Sequence, residues 1–403
     1  MSNSEELRMQ KALALLSKDN AIEKIEKGLY TVRSQTGVGV YRLEGHGRIW
    51  SCNCPDFIKN GHIRPCKHIL ALRLHLDIGY IVEKDQEKQI IPITYSQNWS
   101  NYNQAQCNEI DLFDKLLYEL VKLIPEPEQY RGRPHIKLQD KIFCCVMKTY
   151  SQLSSRRAHC LYQQAVEKYH IDHAPHFNVV SKTLNKEEIT PLLYDLVHIS
   201  AQPLANIETD FAIDSSGFRC STFGEYYHYA HGQKRVHNWL KVHICTGVKT
   251  NIVSDVVVTD EYGADSPQFK KLVQRTSEYF TVKNISADGA YSSRLNHEIA
   301  DRLGATAYIP FKSNATGSSE GSEVWKKAFH FFQIYKDEFL DNYHLRSNAE
   351  STFAAIKKKF GETLKSKNQT AQINEMLCKI IAYNITILIH SIYEMGITPT
   401  FCC

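Results

Sequence analysis

The chain has little net charge, no long run of apolar residues and no recognisable secretory leader. Its 48 basic and 44 acidic side chains leave a formal charge of only +4 over 403 residues. A net charge this small argues neither for nor against a nucleic-acid partner. The longest apolar stretch, residues 380–392, is interrupted by polar side chains and is shorter than the roughly 20 residues that cross a bilayer. We therefore expect no signal peptide and no membrane span, and we assign residues 380–392 to a packed helix.

The pattern of a secreted protein stabilised by disulfides is also absent. Twelve cysteines in a chain of 403 residues are too sparse for a disulfide framework, so we expect reduced thiols. A hydrophobic fraction of 43% and a charged fraction of 23% are typical of globular proteins, and the length favours two or three domains.

Four potential zinc ligands occur at two tight spacings near the N-terminus. One residue separates Cys52 from Cys54, and after eleven further residues Cys66 and His68 repeat that spacing. Three thiolates and one imidazole form the four-ligand set that zinc prefers in closed structural sites. The pattern resembles the SWIM zinc finger over residues 42–76, a family whose members contact DNA or other proteins. We expect a structural zinc ion here, and the choice between the two partners stays open.

Three acidic residues stand in settings that suit a divalent metal ion. Asp214 lies in an Ile-Asp-Ser-Ser-Gly segment, Asp288 lies in Ala-Asp-Gly-Ala-Tyr, and Glu350 follows Ser-Asn-Ala. Magnesium prefers carboxylate oxygens, and two ions that contact both reacting oxygens of a phosphodiester need about three carboxylates from different elements. We therefore predict that these three residues are catalytic metal ligands.

The surroundings of Glu350 carry the most information. Tyr343 and Arg346 lie seven and four residues before it and Lys357 lies seven residues after it, which places all four side chains on one stripe of a helix. A guanidinium, an ammonium and a phenol beside a carboxylate suit phosphate contacts next to a bound metal. The alternative is a solvated charge face in which Arg346 pairs with Glu350.

Because of this spaced motif, residues 211–394 resemble one particular protein family. The four stripe residues match the Tyr-x2-Arg-x3-Glu-x6-Lys signature of insertion-sequence DDE transposases, and the two aspartates fall at the positions of that family's first and second metal-binding aspartates. The resemblance implies a ribonuclease H-like fold, Mg²⁺ or Mn²⁺ at the acidic residues, and DNA-binding roles for Tyr343, Arg346 and Lys357. It also implies hydrolysis at transposon ends and transfer of the freed 3′-hydroxyl into target DNA.

The resemblance also implies partners and a location. We expect double-stranded DNA from transposon ends and target sites, a homodimer or larger assembly on that DNA, no membrane partner, and a cytoplasmic, nucleoid-associated protein of a prokaryote. Only 61 residues separate Asp288 from Glu350, whereas many relatives carry a long β-rich insertion there. A hairpin-forming step that depends on such an insertion is therefore not implied.

The fold that we predict is an α/β protein with several parts. Residues 1–83 form a small α+β zinc finger domain, and residues 84–107 form a polar linker. Residues 108–205 show helical patterns alone and are interpreted as a helical DNA-binding region, with a plain helical spacer as the alternative. Residues 206–398 form a ribonuclease H-like catalytic domain, a mixed sheet flanked by helices. We expect one strand to end at Ile213, just before Asp214, and residues 239–244 and 252–258 to pair as a hairpin. Aspartates at the ends of neighbouring strands then meet a glutamate on a helix.

Positive charge is concentrated in two segments. Residues 131–170 contain six more basic than acidic side chains, and residues 351–370 contain four more. Such clusters suit a phosphate backbone, where counterion release favours binding, although solvated helix faces have the same composition. Further candidates for phosphate contacts are Lys234, Arg235, Lys241 and His243.

Two other functions compete with transposition. A nuclease on the same fold would cut DNA without joining it. A zinc-dependent DNA-binding or adaptor protein, such as a domesticated transposase, would not cut at all. The three acidic residues favour an enzyme over the adaptor.

Overall fold

The computed structural model divides the chain into two compact units, Met1–Tyr95 and Ser96–Cys403. The residues that it describes are 8, 11–12, 14–16, 21–26, 28–34, 39–46, 49–61, 65–77, 98–128, 132, 134–220, 239–318 and 321–401.

The first unit combines a small sheet with helices, and residues 8, 11–12 and 14–16 are also helical. Its elements are β1 (Ile22–Glu26), β2 (Leu29–Arg33), β3 (Val40–His46), β4 (Ile49–Cys52), α1 (Pro55–Asn60) and α2 (Lys67–Asp77). The strands pair in chain order and antiparallel. The buried cluster under the sheet contains Tyr30, Leu43, Trp50 and Ile69 together with cysteine side chains. A core of this size is small, and such units ordinarily need a metal or disulfides to stay folded.

The second unit begins with helices. They are α3 (Trp99–Cys107), α4 (Glu109–Val121), α5 (Leu138–Ser151), α6 (His159–Glu167), α7 (Phe177–Leu184), α8 (Ile189–Ala201) and a 3-10 turn at Gln202–Leu204. The helical character predicted for residues 108–205 is confirmed. Helix α3 occupies the second half of the segment in which the sequence predicts a linker, and its Ala105 is fully buried.

Strands and helices alternate in the remainder of this unit. The elements are β5 (Asp210–Cys220), β6 (Trp239–Gly247), β7 (Val253–Asp260), α9 (Ser266–Ser277), β8 (Asn284–Ala287), a 3-10 turn (Gly289–Tyr291), α10 (Arg294–Arg302), β9 (Thr306–Tyr308), α11 (Glu323–Ile334), α12 (Lys336–Tyr343), a 3-10 turn (His344–Arg346), α13 (Ser347–Phe360), β10 (Thr363–Leu364) and α14 (Gln369–Met395). The six strands that the structure describes in this second unit form one sheet in the order β7-β6-β5-β8-β9, and β10 pairs with β5.

This sheet is mixed, as predicted. The β5-β6 and β6-β7 pairs are antiparallel, which confirms the predicted hairpin, whereas β5-β8, β8-β9 and β5-β10 are parallel. Residues such as Leu240, Val242 and Ile244 are buried because helices cover the sheet. A mixed sheet flanked by helices, after a helical region and a small α+β unit, confirms the predicted fold class.

Helix α14 lies in the middle of the second unit. By length and composition it is the one helix among the described residues that is apolar enough to cross a bilayer, but 78% of its most apolar window is buried inside the protein. Its Asn384 side chain is buried, accepts from the Val253 backbone amide at 3.0 Å and donates to the Val253 carbonyl at 2.8 Å. The predicted packed helix is therefore confirmed, and it contacts α3, α4, α5 and α8.

The helical region and the sheet share one hydrophobic core. Buried residues from α3 through α8 and from every strand between β5 and β9 belong to the same cluster. The position of helices α5 and α7 is therefore fixed relative to the sheet by ordinary core packing.

Candidate active site and zinc site

The strand register brings Asp214 and Asp288 side by side. Strands β5 and β8 run parallel, and Ile213 pairs with Ala287. Asp214 directly follows Ile213 and Asp288 directly follows Ala287. Because the two strands are parallel neighbours, both aspartates lie at the same level of the sheet. Strand β8 ends there, whereas β5 continues past Asp214 to Cys220; the sequence-based expectation that this strand ends at Asp214 is wrong. Continued pairing with β6 explains the extension, since Asp214 itself pairs with Ile244.

The helix predicted to carry the spaced motif is divided by a tight turn. Tyr343 ends α12, Arg346 ends a 3-10 turn, and Glu350 lies in the first turn of α13. The Ser286 hydroxyl donates to the Asn342 carbonyl at 2.8 Å, just before this turn. The backbone keeps right-handed helical angles on both sides of the turn. The chain from Tyr343 to Glu350 therefore continues in the same direction despite the tighter turn.

Helix α13 lies along one face of β5. Alternate residues of a strand share a face, so Asp214, Ser216 and Phe218 point the same way. Arg346 contacts the first of them, and the Lys357 amine donates to the Ser216 hydroxyl at 2.8 Å and lies 5.2 Å from the centre of the Phe218 ring. The carboxylate end and the cationic end of the motif therefore sit above the same strand.

Arg346 joins two of the three acidic residues. Its Nη1 lies 2.6 Å from Asp214 Oδ2, and its Nη2 lies 2.6 Å from Glu350 Oε1. The Arg346 and Asp214 side chains are 21% and 17% exposed, so this pair is better shielded than a surface ion pair, whereas Glu350 is 57% exposed. The sequence alternative of an Arg346–Glu350 pair is therefore present, but as part of a bridge that includes Asp214.

The pKa of Asp214 is raised above its ordinary value. Burial is the largest cause, and the nearby carboxylates of Asp288 and Glu350 add to it. A hydrogen bond from the Ser215 amide and the charge of Arg346 act in the opposite direction without cancelling the rise. Mutual repulsion among three carboxylates is the electrostatic condition that a bound cation relieves.

The zinc-ligand candidates gather closely in the first unit. One ligand atom from each of Cys52, Cys54, Cys66 and His68 lies within 4.8 Å of the other three, and all four residues are buried. Among the described residues, no second group of three or more cysteine, histidine or acidic side chains meets this distance. The acidic site is therefore more open than the zinc site, with Arg346 between two of its members.

Local structure explains how the four ligands meet. Cys52 ends β4, and the Cys54 sulfur accepts the Phe57 amide at 3.3 Å at the start of α1. Cys66 comes directly before α2, and His68 lies in its first turn. The four ligands thus come from a strand end, a turn and the start of a helix.

The donor geometry fits a zinc ion. His68 Nδ1 lies 3.9 Å from Cys52 Sγ and 4.0 Å from Cys66 Sγ. In a zinc tetrahedron with ordinary bond lengths this nitrogen–sulfur separation is about 3.6 Å. A hydrogen bond from the Cys52 thiol lowers the pKa of Cys66, to about 4, and thereby favours the thiolate that a metal requires.

Comparison with known families identifies two domains in the chain. Residues 206–385 match the family described as "Transposase DDE domain", and residues 40–77 match the "SWIM zinc finger". The protein carries a transposase DDE domain and a SWIM zinc finger. No solved structure matches the chain. Both family resemblances that the sequence indicated are thus confirmed.

The residues described between Asp288 and Glu350 contain no β-rich insertion. The elements from Gly289 to Arg346 are helices and 3-10 turns together with one short strand, β9. This strand pairs with β8 and so belongs to the main sheet. Residues 289–318 and 321–346 therefore form no additional sheet, in agreement with the short spacing between Asp288 and Glu350 in the sequence.

A hydrogen-bonded network beside Asp214 was not predicted from the sequence. Asp265 accepts from the Ser215 hydroxyl at 2.7 Å and from the Lys241 amine at 2.8 Å, and it lies 3.3 Å from His243 Nδ1. Burial acts to raise the pKa of Asp265, but the hydrogen bonds from Lys241 and Ser215 outweigh it and the pKa is lowered. Ser215 is the neighbour of Asp214, so this network stiffens the strand that carries the acidic residue.

The network corrects one expectation. Lys241 and His243, proposed as phosphate contacts, face Asp265 inside the domain, and burial lowers the pKa of His243 to about 4. Lys234 and Arg235 lie outside the described residues. The signal available in the sequence was weak: alternation along β6 places residues 241 and 243 on one face, but only the fold identifies Asp265 as their partner.

Proposed function

We propose that the DDE domain cuts DNA at transposon ends and joins the freed 3′-hydroxyl to target DNA, with Asp214, Asp288 and Glu350 as metal ligands. The observation that carries this proposal is the β5-β8 register, which sets Asp214 and Asp288 side by side. Arg346 adds the third member, because it contacts Asp214 and Glu350 together. All three acids lie within the segment that matches the transposase DDE domain, residues 206–385.

Mg²⁺ or Mn²⁺ ions at these carboxylates would activate the attacking hydroxyl and stabilise the leaving oxygen in an in-line displacement. Asp214 and Asp288 would hold these ions from adjacent strands, and Glu350 would hold one of them from the first turn of α13. Arg346 and Lys357 then bind the phosphates beside the cut, and Tyr343 contacts the backbone or base of the end nucleotide. No covalent protein–DNA intermediate is required.

Arg346 has two possible partners in this scheme. In the protein alone its guanidinium neutralises Asp214 and Glu350. A cation at the same carboxylates competes with it, and DNA phosphate offers the displaced guanidinium a bidentate acceptor. Metal and DNA therefore favour each other's binding, because each removes the competitor of the other.

Replacing Arg346 by glutamine is expected to tighten Mn²⁺ binding to the DNA-free protein about tenfold while lowering DNA cleavage. The substitution removes two charge-assisted hydrogen bonds, each worth about 1.5–3 kcal/mol before solvent screening, that the metal would otherwise have to displace. Mn²⁺ titration followed by electron paramagnetic resonance at pH 8 measures the affinity. Arg302→Gln is the matched control, since Arg302 also pairs with a glutamate four residues away. Unchanged or weaker Mn²⁺ binding in Arg346→Gln would contradict the competition.

A strand-transfer assay tests the proposed function against its rivals. Duplexes taken from inverted repeats that bracket the reading frame are supplied already cut, with supercoiled plasmid as target and Mg²⁺ or Mn²⁺ present. A transposase joins the 3′-hydroxyl ends to the plasmid. A nuclease on this fold nicks the plasmid without joining, and an adaptor protein does neither. Absence of both metal-dependent products would overturn the enzymatic assignment.

The same proposal includes assembly on DNA. Two transposon ends must be brought together before joining, so we propose a homodimer or larger assembly in the DNA complex. The SWIM finger binds zinc and contributes contacts to DNA or to a protein. Its role and the helical region's role in DNA binding belong to this proposal.

A further inference from the structure

Two basic segments that lie about 200 residues apart in the sequence meet in the second unit. The side-chain amide of Gln152, directly after α5, donates to the Lys359 carbonyl at 2.5 Å. The Lys365 amine donates back to the Gln152 carbonyl at 2.6 Å. Gln152 has a left-handed backbone conformation, with φ of 55°, which ends α5 and turns the chain toward the end of α13. The turn after α5 and the end of the helix that carries Glu350 are thus hydrogen-bonded together.

Buried Glu109 and Lys379 tie this contact to the core of the second unit. Glu109 accepts from the Lys359 amine at 2.7 Å and from the Tyr150 hydroxyl at 2.8 Å. The buried Lys379 amine donates to the carbonyls of Gly361 and Thr363 at 2.8 and 3.1 Å, just after α13. Because both sides of the junction are tied to the core, the exposed cations above it keep a stable arrangement.

The exposed side of this contact is strongly basic. We call it the junction surface and define it by five exposed residues: Arg156, Arg157, Lys358, Lys365 and Lys367. The acidic side chain nearest to them in sequence, Glu362, lies 3.9 Å from Arg219 on β5. Its charge is therefore already opposed by a different cation. Residues 152–158 and 357–368 contribute none of the large exposed apolar side chains of the described chain.

We propose that the junction surface binds the phosphate backbone of duplex DNA beside the cleavage site, an inference that rests on the proposed function of the DDE domain. Lys358 follows Glu350 by eight residues, which corresponds to about 12 Å along a helix axis or about four base pairs of DNA. Because hydrogen bonds hold Gln152 at the end of α13, duplex DNA that lies along α13 would continue over Arg156 and Arg157, which follow Gln152 in the chain.

The composition of the surface favours DNA over a protein partner. Protein interfaces use apolar or aromatic anchors at their centre, and this surface has none. Arginine and lysine side chains bind phosphates through counterion release, which does not depend on base sequence. The two sequence segments, each too small to span several phosphates alone, provide such a track when joined.

The test uses the full-length protein with Arg157→Gln and Lys358→Gln combined. Neither side chain has been placed in the catalytic machinery, and each comes from a different side of the junction. Binding of a 30-base-pair duplex of arbitrary sequence is measured by fluorescence anisotropy without divalent cations, across a series of KCl concentrations. The affinity at 150 mM salt is expected to fall about tenfold, and the slope of log K against log salt by about two. The control is Lys270→Gln with Lys271→Gln, two exposed lysines on α9.

The outcomes separate this inference from the proposed function. An unchanged slope in the junction variant, or an equal loss in the α9 control, would overturn the junction surface. Plasmid nicking by the unmodified protein with Mg²⁺ is scored separately. If nicking fails while the junction variant still loses affinity and slope, the surface is supported and the catalytic proposal is not. If nicking succeeds but the slope is unchanged, the reverse holds.

Discussion

Replacement of Asp288 by asparagine is expected to lower metal-dependent DNA nicking at least about a thousandfold, which corresponds to about 4 kcal/mol of lost transition-state stabilisation. The amide keeps the shape of the side chain and an oxygen that can accept from the Gly289 amide, the 2.7 Å contact seen in the protein. It lacks the charge that holds a cation. Loss of supercoiled plasmid with time, in Mg²⁺ and in Mn²⁺, measures the effect.

DNA binding by the Asp288→Asn protein should stay within a few-fold of normal, because cations elsewhere supply the affinity for phosphate. The matched control is Asp260→Asn at the end of β7. Asp260 also accepts a nearby backbone amide, from Tyr262 at 3.2 Å, but it is not one of the proposed metal ligands. Nicking by Asp288→Asn at the normal rate would remove this residue from the metal site, whatever the family resemblance implies.

Replacement of Cys66 by serine is expected to abolish stoichiometric zinc binding and unfold the first unit. Apparent zinc-binding energies of about 10–16 kcal/mol are typical of structural fingers at neutral pH, far more than a core of this size supplies by packing. Zinc content by atomic absorption should fall from one ion per chain toward none. Hydrogen exchange in β3 and β4 should lose its protection, since both strands border Cys52.

The second unit provides an internal reference for that experiment. It has its own hydrophobic core, so amides of helix α14 should keep their protection in the Cys66→Ser protein. Cys107→Ser, which changes an exposed cysteine on α3, is the control for the substitution itself. Retention of one zinc ion with ordinary affinity, or of full protection in β3 and β4, would show that Cys66 is not a required ligand.

Much of the candidate active site could be predicted from the sequence because its signals are local. A carboxylate that follows a short apolar strand marks Asp288 as the residue directly after β8, and the motif spacing around Glu350 is kept even though a 3-10 turn divides the helix. The same holds for the zinc ligands, whose two spacings correspond to a strand end and a helix start. Local geometry of this kind needs no knowledge of distant contacts.

Predictions that required distant partners failed or were not possible. Lys241 has the composition of a phosphate contact, yet it lies against Asp265, which the sequence does not mark as its partner. The strand that carries Asp214 runs further than predicted because pairing with β6 extends it. In both cases the deciding interaction joins residues that are far apart in the chain, and its free energy appears only when the sheet has formed.

The sequence by itself determined the types of site and the residues proposed for them: a tight Cys3His set and three spaced acids beside a cationic stripe. Only the tertiary structure decided that Arg346 bridges Asp214 and Glu350, and that Gln152 brings the two basic segments together. The physical reason is that ligand chemistry and helical spacing are properties of neighbouring residues. Core packing, which no short segment encodes, decides which two carboxylates the Arg346 guanidinium contacts. It also decides which distant carbonyl the Gln152 amide contacts.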